Sequence, residues 1–268
     1  MEDATPLLFA VDDGIATLTL NRPAEGNSLT PELLIALEAA WARVECEEAI
    51  RVAILTGAGE RHFCTGAAVG ALRVGTGTLH NKPNAAVNRF TPRMCQVSKP
   101  VLCSVNGLVN GGGLHFVADC DIVIACTRAA FMDTHVSVGQ VSALEAVGIA
   151  RRAGVGAALL MGLAGRSYRM PAERAHQIGM IDLLEPSAVD ALARARSLAR
   201  AIAANSPQAV ALTKRAIWAS TEMADPAAAD FAWELLKSHW THPDFEEGPR
   251  AFAERRAANW TADPNARR

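Results

Sequence analysis

Two glycine-bearing turns carry the first chemical signal in this sequence. Residues 101–126, VLCSVNGLVNGGGLHFVADCDIVIAC, read as a β-branched strand (Val101–Val105), an Asn106-Gly107 turn, a glycine triplet (Gly111–Gly113), a short apolar helix and a second strand over 121–126. Glycines at a helix start leave backbone N–H groups approachable. With the positive end of the helix dipole, those groups make a site for negative charge. The group held there is a phosphate or an oxygen that becomes anionic during a reaction. Taken alone, a triplet is better read as letting a helix pack closely on a strand. An earlier segment changes the balance. In 51–68, RVAILTGAGERHFCTGAA, an apolar run enters a glycine turn, and a short strand over 62–64 meets Thr65-Gly66-Ala67-Ala68. Two such strand-to-small-residue turns can each aim one N–H at the same oxygen.

The elements that must position these turns follow from periodicity. Residues 7–20 alternate as two strands joined at Gly14. A loop, NRPAEGNS, precedes Thr30-Pro31, an N-cap with proline at the first helical position. The helix carries an apolar stripe of Leu33, Leu34, Leu37, Trp41 and Val44 to about Cys46. The strand–strand–helix–strand rhythm continues through the triplet. Residues 70–88 are rich in Gly, Thr and Asn, lose that periodicity and read as a surface segment containing His80. A strand over Ala130–Met132, helices near 142–153, 156–162 and 171–179, a strand in MIDLLEP and a long Ala/Arg helix over 188–204 follow. Ser206-Pro207 and Asp225-Pro226 open two further helices, and the remainder lacks strands. The expected organisation is an α/β core over 1–205 and a helical region over 206–268, the latter carrying Trp233, Trp240 and Trp260 outside any obvious core of its own.

Composition narrows the class. A net charge of −2 over 268 residues gives no general basic field for nucleic acid. No apolar run is long enough to span a membrane, and the acidic N-terminus lacks the basic start and apolar centre of a signal peptide. Six cysteines without a CxxC pair, several of them inside apolar strands, point to reduced, buried thiols and a cytoplasmic setting. No His/His spacing suits a metal, and Asp133 is the nearest acidic neighbour of the candidate histidines.

NRPAEGNSL, LTGAGERHFCTGAA, SKPVLCSVNGLVNGGGL, ADCDIVIA and the closing DFEEGPRAFAERR stand in the order and spacing of the crotonase superfamily, the enoyl-CoA hydratase/isomerase family. The resemblance covers almost the whole chain. It implies a spiral of ββα units with a C-terminal helical region that trimerises and closes the CoA site, in a homotrimer or dimer of trimers. It also implies an acyl-CoA thioester as substrate, with no cofactor beyond coenzyme A in that substrate. The enolate oxygen would be held by the N–H groups of Ala67 and Gly112, and the substrate would run along Cys64, Gly66, Ala67 and Gly112. In the family, the stretch equivalent to 70–88 borders the acyl pocket.

The acid–base positions depart from the resemblance. The two family glutamates are replaced by His115, in GGGLH, and His135, in FMDTH. Histidine titrates near pH ~6.5, so a pair offers one acid and one base near neutrality. The alternative for His115, on an apolar helix, is a satisfied core histidine. Glu145, in VSALEAVG, occupies a segment that supplies an acid, base or nucleophile in some branches; its alternative is an exposed helix residue. The family's usual Asp is Ala68 here, and a CoA-phosphate cation is missing from Ala24-Glu25-Gly26, leaving Arg22 and Arg73 as substitutes. The expected reaction is that of a hydratase-like or isomerase-like carbon–oxygen lyase. A C–C bond hydrolase resembling oxocamphor hydrolase, or a non-catalytic acyl-CoA-binding homologue, are the alternatives.

Overall fold

The computed structural model describes residues 5–67 and 89–262. Ala68, Arg73, His80 and the rest of 70–88 lie outside the described residues. β1 (Leu7–Asp12) and β2 (Ile15–Leu20) form the hairpin at Gly14, and α1 (Pro31–Cys46) follows. Three pairs of a longer and a shorter strand come next: β3 (Val52–Gly57) with β4 (His62–Cys64), β5 (Val101–Val105) with β6 (Leu108–Asn110), and β7 (Ile122–Cys126) with β8 (Ala130–Met132). α2 (Leu114–Asp119) follows the second pair and α3 (Leu144–Ala153) the third. The chain continues through α4 (Val155–Ala164), β9 (Met170–Pro171), α5 (Ala172–Gln177), β10 (Leu183–Glu185), α6 (Ala188–Ala203), α7 (Pro207–Ser220), α8 (Asp225–His239) and α9 (Asp244–Glu254).

The longer strand of each pair joins a six-stranded sheet of order β1-β2-β3-β5-β7-β10, antiparallel only at β1–β2. The shorter one joins a four-stranded sheet of order β4-β6-β8-β9, antiparallel only at β8–β9. Each pass of the chain thus adds one strand to each sheet, which is the ββα spiral expected. The central strands β3, β5 and β7 are buried almost throughout, which explains why they read as continuous apolar runs instead of alternating ones. Thr30 caps α1 by accepting from the Leu33 N–H at 3.3 Å. Leu33, Leu37, Ala40, Trp41 and Val44 are the buried stripe of that helix, and Leu34 is only partly buried. Trp41 also donates its indole N–H to the Phe90 carbonyl at 2.9 Å, tying α1 to a residue that reappears at the site.

β7, α3, α5 and β10 each start one to three residues later than the sequence pattern places them. Asp121, Ser142 and Asp182 each commit their side chain to a partner outside the element. Asp121 accepts from the Val101 N–H at 2.7 Å, and Asp182 accepts from the Val123 N–H at 2.7 Å, so each carboxylate supplies an acceptor at the beginning of a neighbouring strand. Ser142 bonds Asp133. The C-terminal helices dock on the core through Lys214, 2.8 Å from Asp121, and Trp218, whose N–H reaches the same carboxylate at 2.7 Å. Trp260 is tied down by its N–H to the Ala204 carbonyl at 2.7 Å, while Trp233 and Trp240 form an exposed edge-to-face pair.

Candidate active site

The two glycine turns meet. Gly66 has φ +85°, which a side chain would strain, and a Cβ placed there would lie 2.8 Å from the Gly112 nitrogen. A Cβ on Gly112 would in turn lie 3.6 Å from the Ala67 nitrogen. The N–H groups of Ala67 and Gly112 are therefore neighbours. Gly112 is the middle residue of a one-turn helix over Gly111–Gly113 that runs into α2, so its N–H precedes the first intrahelical donors. Ala67 follows a turn locked by the Leu29 N–H on the Gly66 carbonyl at 2.8 Å. The whole triplet is buried, and a Cβ on Gly113 would overlap the Cys64 carbonyl. Cys64 itself is fully buried, and burial pushes its thiol up to about 12, so it forms the wall behind the turn.

The three ionisable candidates converge on one oxygen. His115, in the first turn of buried α2, places Nε2 3.2 Å from Glu145 Oε1. His135, on the loop after β8, places Nε2 3.8 Å from the same oxygen. Its ring lies against the triplet, with Cε1 3.2 Å from where a Cβ on Gly111 would stand. The sequence reading pairs the histidines with each other; in the structure Glu145 lies between them. Its side chain, in the first turn of α3, is only 13% exposed, so the exposed-helix alternative does not hold. Phe90 packs edge-to-face on the His115 ring at 5.2 Å, and its carbonyl is the one held by Trp41.

Asp133 completes the cluster. It is 2% exposed and its Oδ1 accepts from both the ring Nδ1 of His135 at 2.7 Å and the His135 backbone N–H at 3.0 Å. Its Oδ2 accepts from Ser142 Oγ. Asn110 and Thr134 exchange hydrogen bonds at 3.0 and 3.2 Å, fixing the β6 end against the His135 loop. Sequence reasoning noted Asp133 only as an acidic neighbour and passed over Phe90 and Ser142. The i, i+2 spacing of Asp and His in FMDTH was the one available signal, because a two-residue loop separation lets a carboxylate reach both the ring and the backbone of the same histidine.

The charges follow from these contacts. Burial works against ionisation of Glu145, but the His115 hydrogen bond and the charges of both histidines outweigh it and hold its carboxyl below the usual carboxylate range. Burial also opposes ionisation of Asp133, and the donors from His135 and Ser142 outweigh it. The hydrogen bond to Asp133 raises the His135 imidazole above its ordinary value, with Glu145 adding to it and burial opposing. The site thus holds two ionised carboxylates around a histidine that favours its cation.

The family model described as enoyl-CoA hydratase/isomerase matches residues 10–263. The chain is 36% identical over 256 residues to (E)-benzylidenesuccinyl-CoA hydratase of Thauera aromatica, covering 94% of this chain and 97% of that one. It is 32% identical over 260 residues to 1,2-epoxyphenylacetyl-CoA isomerase of Escherichia coli, covering 95% and 98%. Its fold matches a crystal structure of an enoyl-CoA hydratase/isomerase from Mycobacterium paratuberculosis with a TM-score of 0.87, 35% identity, and coverage of 96% and 98%. With the interlocked glycine turns, the ββα spiral and a match along nearly its full length, the chain belongs to the enoyl-CoA hydratase/isomerase family, the crotonase superfamily.

Proposed function

We propose that this enzyme hydrates an unsaturated acyl-CoA thioester through an enolate held by the Ala67 and Gly112 N–H groups, with His115, His135 and Glu145 moving the protons. The observation that carries the reading is the placement of Glu145 Oε1 3.2 Å and 3.8 Å from the two imidazole Nε2 atoms, with the His135 ring against Gly111. Fixed backbone donors suit a developing oxyanion because they need no reorganisation, and one such donor is worth roughly 3 kcal/mol. In the addition step, ionised Glu145 takes a proton from water as the water oxygen bonds to the β-carbon. Electron density moves onto the thioester oxygen. Cationic His135 then delivers a proton to the α-carbon. One water bridging the 3.8 Å between Glu145 Oε1 and His135 Nε2 carries the proton back, which resets the site. His115 holds Glu145 in place and shares its charge. No cofactor beyond the CoA moiety is required.

Relatives named for benzylidenesuccinyl-CoA and epoxyphenylacetyl-CoA support an aromatic or branched acyl group over a short linear one. The same reading takes the enzyme as a homotrimer or dimer of trimers. Exposed Val147, Val155, Leu159, Leu160 and Leu163 on α3 and α4, and Phe252 on α9, support self-association. A sedimentation equilibrium measurement giving a monomer would remove that part of the proposal.

A C–C bond hydrolase is the second reading, favoured by one observation: a histidine backed by a buried aspartate is suited to activate water. Mass spectrometry of (E)-benzylidenesuccinyl-CoA, other enoyl-CoAs and cyclic β-diketones after incubation separates the readings. Gain of one water without cleavage is expected for an enoyl-CoA. Gain of one water by a cyclic β-diketone, opening its ring to a single keto acid, with no change to any enoyl-CoA would select the hydrolase, and failure to bind any acyl-CoA at millimolar concentration would sink the hydratase reading.

A further inference from the structure

Asp133 needs no contact with substrate to matter. Its two oxygens reach two different parts of the site. Oδ1 holds the ring and backbone of His135, and Oδ2 holds Ser142, which lies two residues before the first residue of α3 and three before Glu145. A carboxylate at Nδ1 requires a proton there, so the neutral ring has its lone pair on Nε2, the atom facing Glu145 Oε1. The charged groups facing His135 are Asp133 from its own loop and Glu145 from α3; His115 of α2 lies across Glu145.

We infer that Asp133 is a positioning residue: it fixes the Nδ1–H tautomer of His135 and holds the entry to α3, so that His135 Nε2 takes the proton back from Glu145 Oε1 while His115 Nε2 holds that carboxylate. The inference rests on the function proposed above, and its test separates the two. Asp133→Asn keeps a carbonyl acceptor for His135 and removes the charge. Nitrogen-15 NMR of the imidazoles in the substrate-free enzyme should show a single Nδ1–H tautomer for wild-type His135. In D133N the tautomers should mix and the midpoint should move to lower pH, because the anion that favours the cation is gone. Turnover of the hydrated enoyl-CoA should fall roughly 10²-fold or more, as when the carboxylate that sets a catalytic histidine's tautomer becomes an amide. KM should hold, and the alkaline limb of the rate profile should shift down with the NMR midpoint. Asp133→Glu, which restores the charge, should return the limb toward its wild-type position.

An unchanged tautomer and midpoint in folded D133N overturn the inference whatever the substrate. An altered NMR signature with unchanged turnover removes His135 from the chemical step, and the proposed function falls with it. Should D133N not fold, Ser142→Ala tests the other oxygen. The His135 tautomer should then stay fixed while kcat falls, and an unchanged kcat would overturn the claim that Asp133 sets the entry to α3.

Discussion

The molecule contains two clusters of nearly the same composition, and they behave oppositely. In one, His135, Asp133, Ser142, Glu145 and His115 lie beside the glycine turns. In the other, His239, His242, Asp244 and Ser206 join the C-terminal helices. Both have a serine hydroxyl on a buried aspartate. In the first, Asp133 accepts from the histidine ring at 2.7 Å and the ring is raised above its ordinary value. In the second, the oxygens of Asp244 are committed to Ser206 and to the Thr261 N–H at 2.8 Å. The His242 ring accepts from the Asp244 backbone N–H at 3.2 Å, and its Nδ1 stands 3.8 Å from the carboxylate. His242 is 1% exposed and stacks on His239, whose imidazole burial pushes down. Residue types do not decide whether a His/Asp group can carry protons. What decides it is whether Nδ1 of the histidine donates to the carboxylate, as in His135, or accepts from a backbone N–H, as in His242.

The largest expected effect breaks the first cluster at its centre. Glu145→Gln should lower kcat by roughly 10²–10⁴, the range for a lost acid–base group. His242→Gln should leave kcat alone if the tail cluster is structural. Steady-state kinetics on the hydrated enoyl-CoA decides, and equal losses from both would erase the contrast. His115→Gln and His135→Gln should each be costly, while the double variant loses little more than the worse single one, since members of one unit are non-additive. Additive losses would mean two independent roles.

The tail cluster should answer in stability instead. Asp244→Ala strands the Ser206 hydroxyl and the Thr261 N–H, and should lower unfolding free energy by about 1–3 kcal/mol. Thermal melting measures it, and the limbs of the rate profile should not move. The smallest effect is in pH. The proposed reaction needs ionised Glu145 and cationic His135. Glu145 is lowered, so activity should persist below the usual glutamate value of about 4.3. His135 is raised, so activity should be lost only above the usual histidine value of about 6.5. A profile narrower than that window would assign the titrating groups elsewhere.

Much of the fold was legible in the sequence because its signals are local. Thr30-Pro31, Ser206-Pro207 and the alternation in 15–20 each announce an element within a few residues. The glycine turns were legible for the same reason. Asp121, Ser142 and Asp182 each bond a partner 9 to 59 residues away, and periodicity within one element carries no trace of that partner. The proposed acid–base group was legible as a set of residues and not as an arrangement. His115, His135 and Glu145 come from α2, a loop and α3, and only packing places Glu145 between the rings. Asp133 left only its i, i+2 spacing to His135 as a trace, and Phe90 makes contacts that no spacing rule encodes.

The interlock of Gly66 with Gly112 has a practical meaning for anyone who wishes to redirect this enzyme. Any side chain at 66 would crowd a donor nitrogen and adopt a disfavoured backbone angle at once. A mutagenesis library that varies the two turns would therefore be filled with inactive clones, whatever reaction is sought. One that leaves 66 and 112 as glycine and randomises 90, 115, 133, 135 and 145 keeps the turns proposed to hold the oxygen. Every change then falls on the residues proposed to direct the proton.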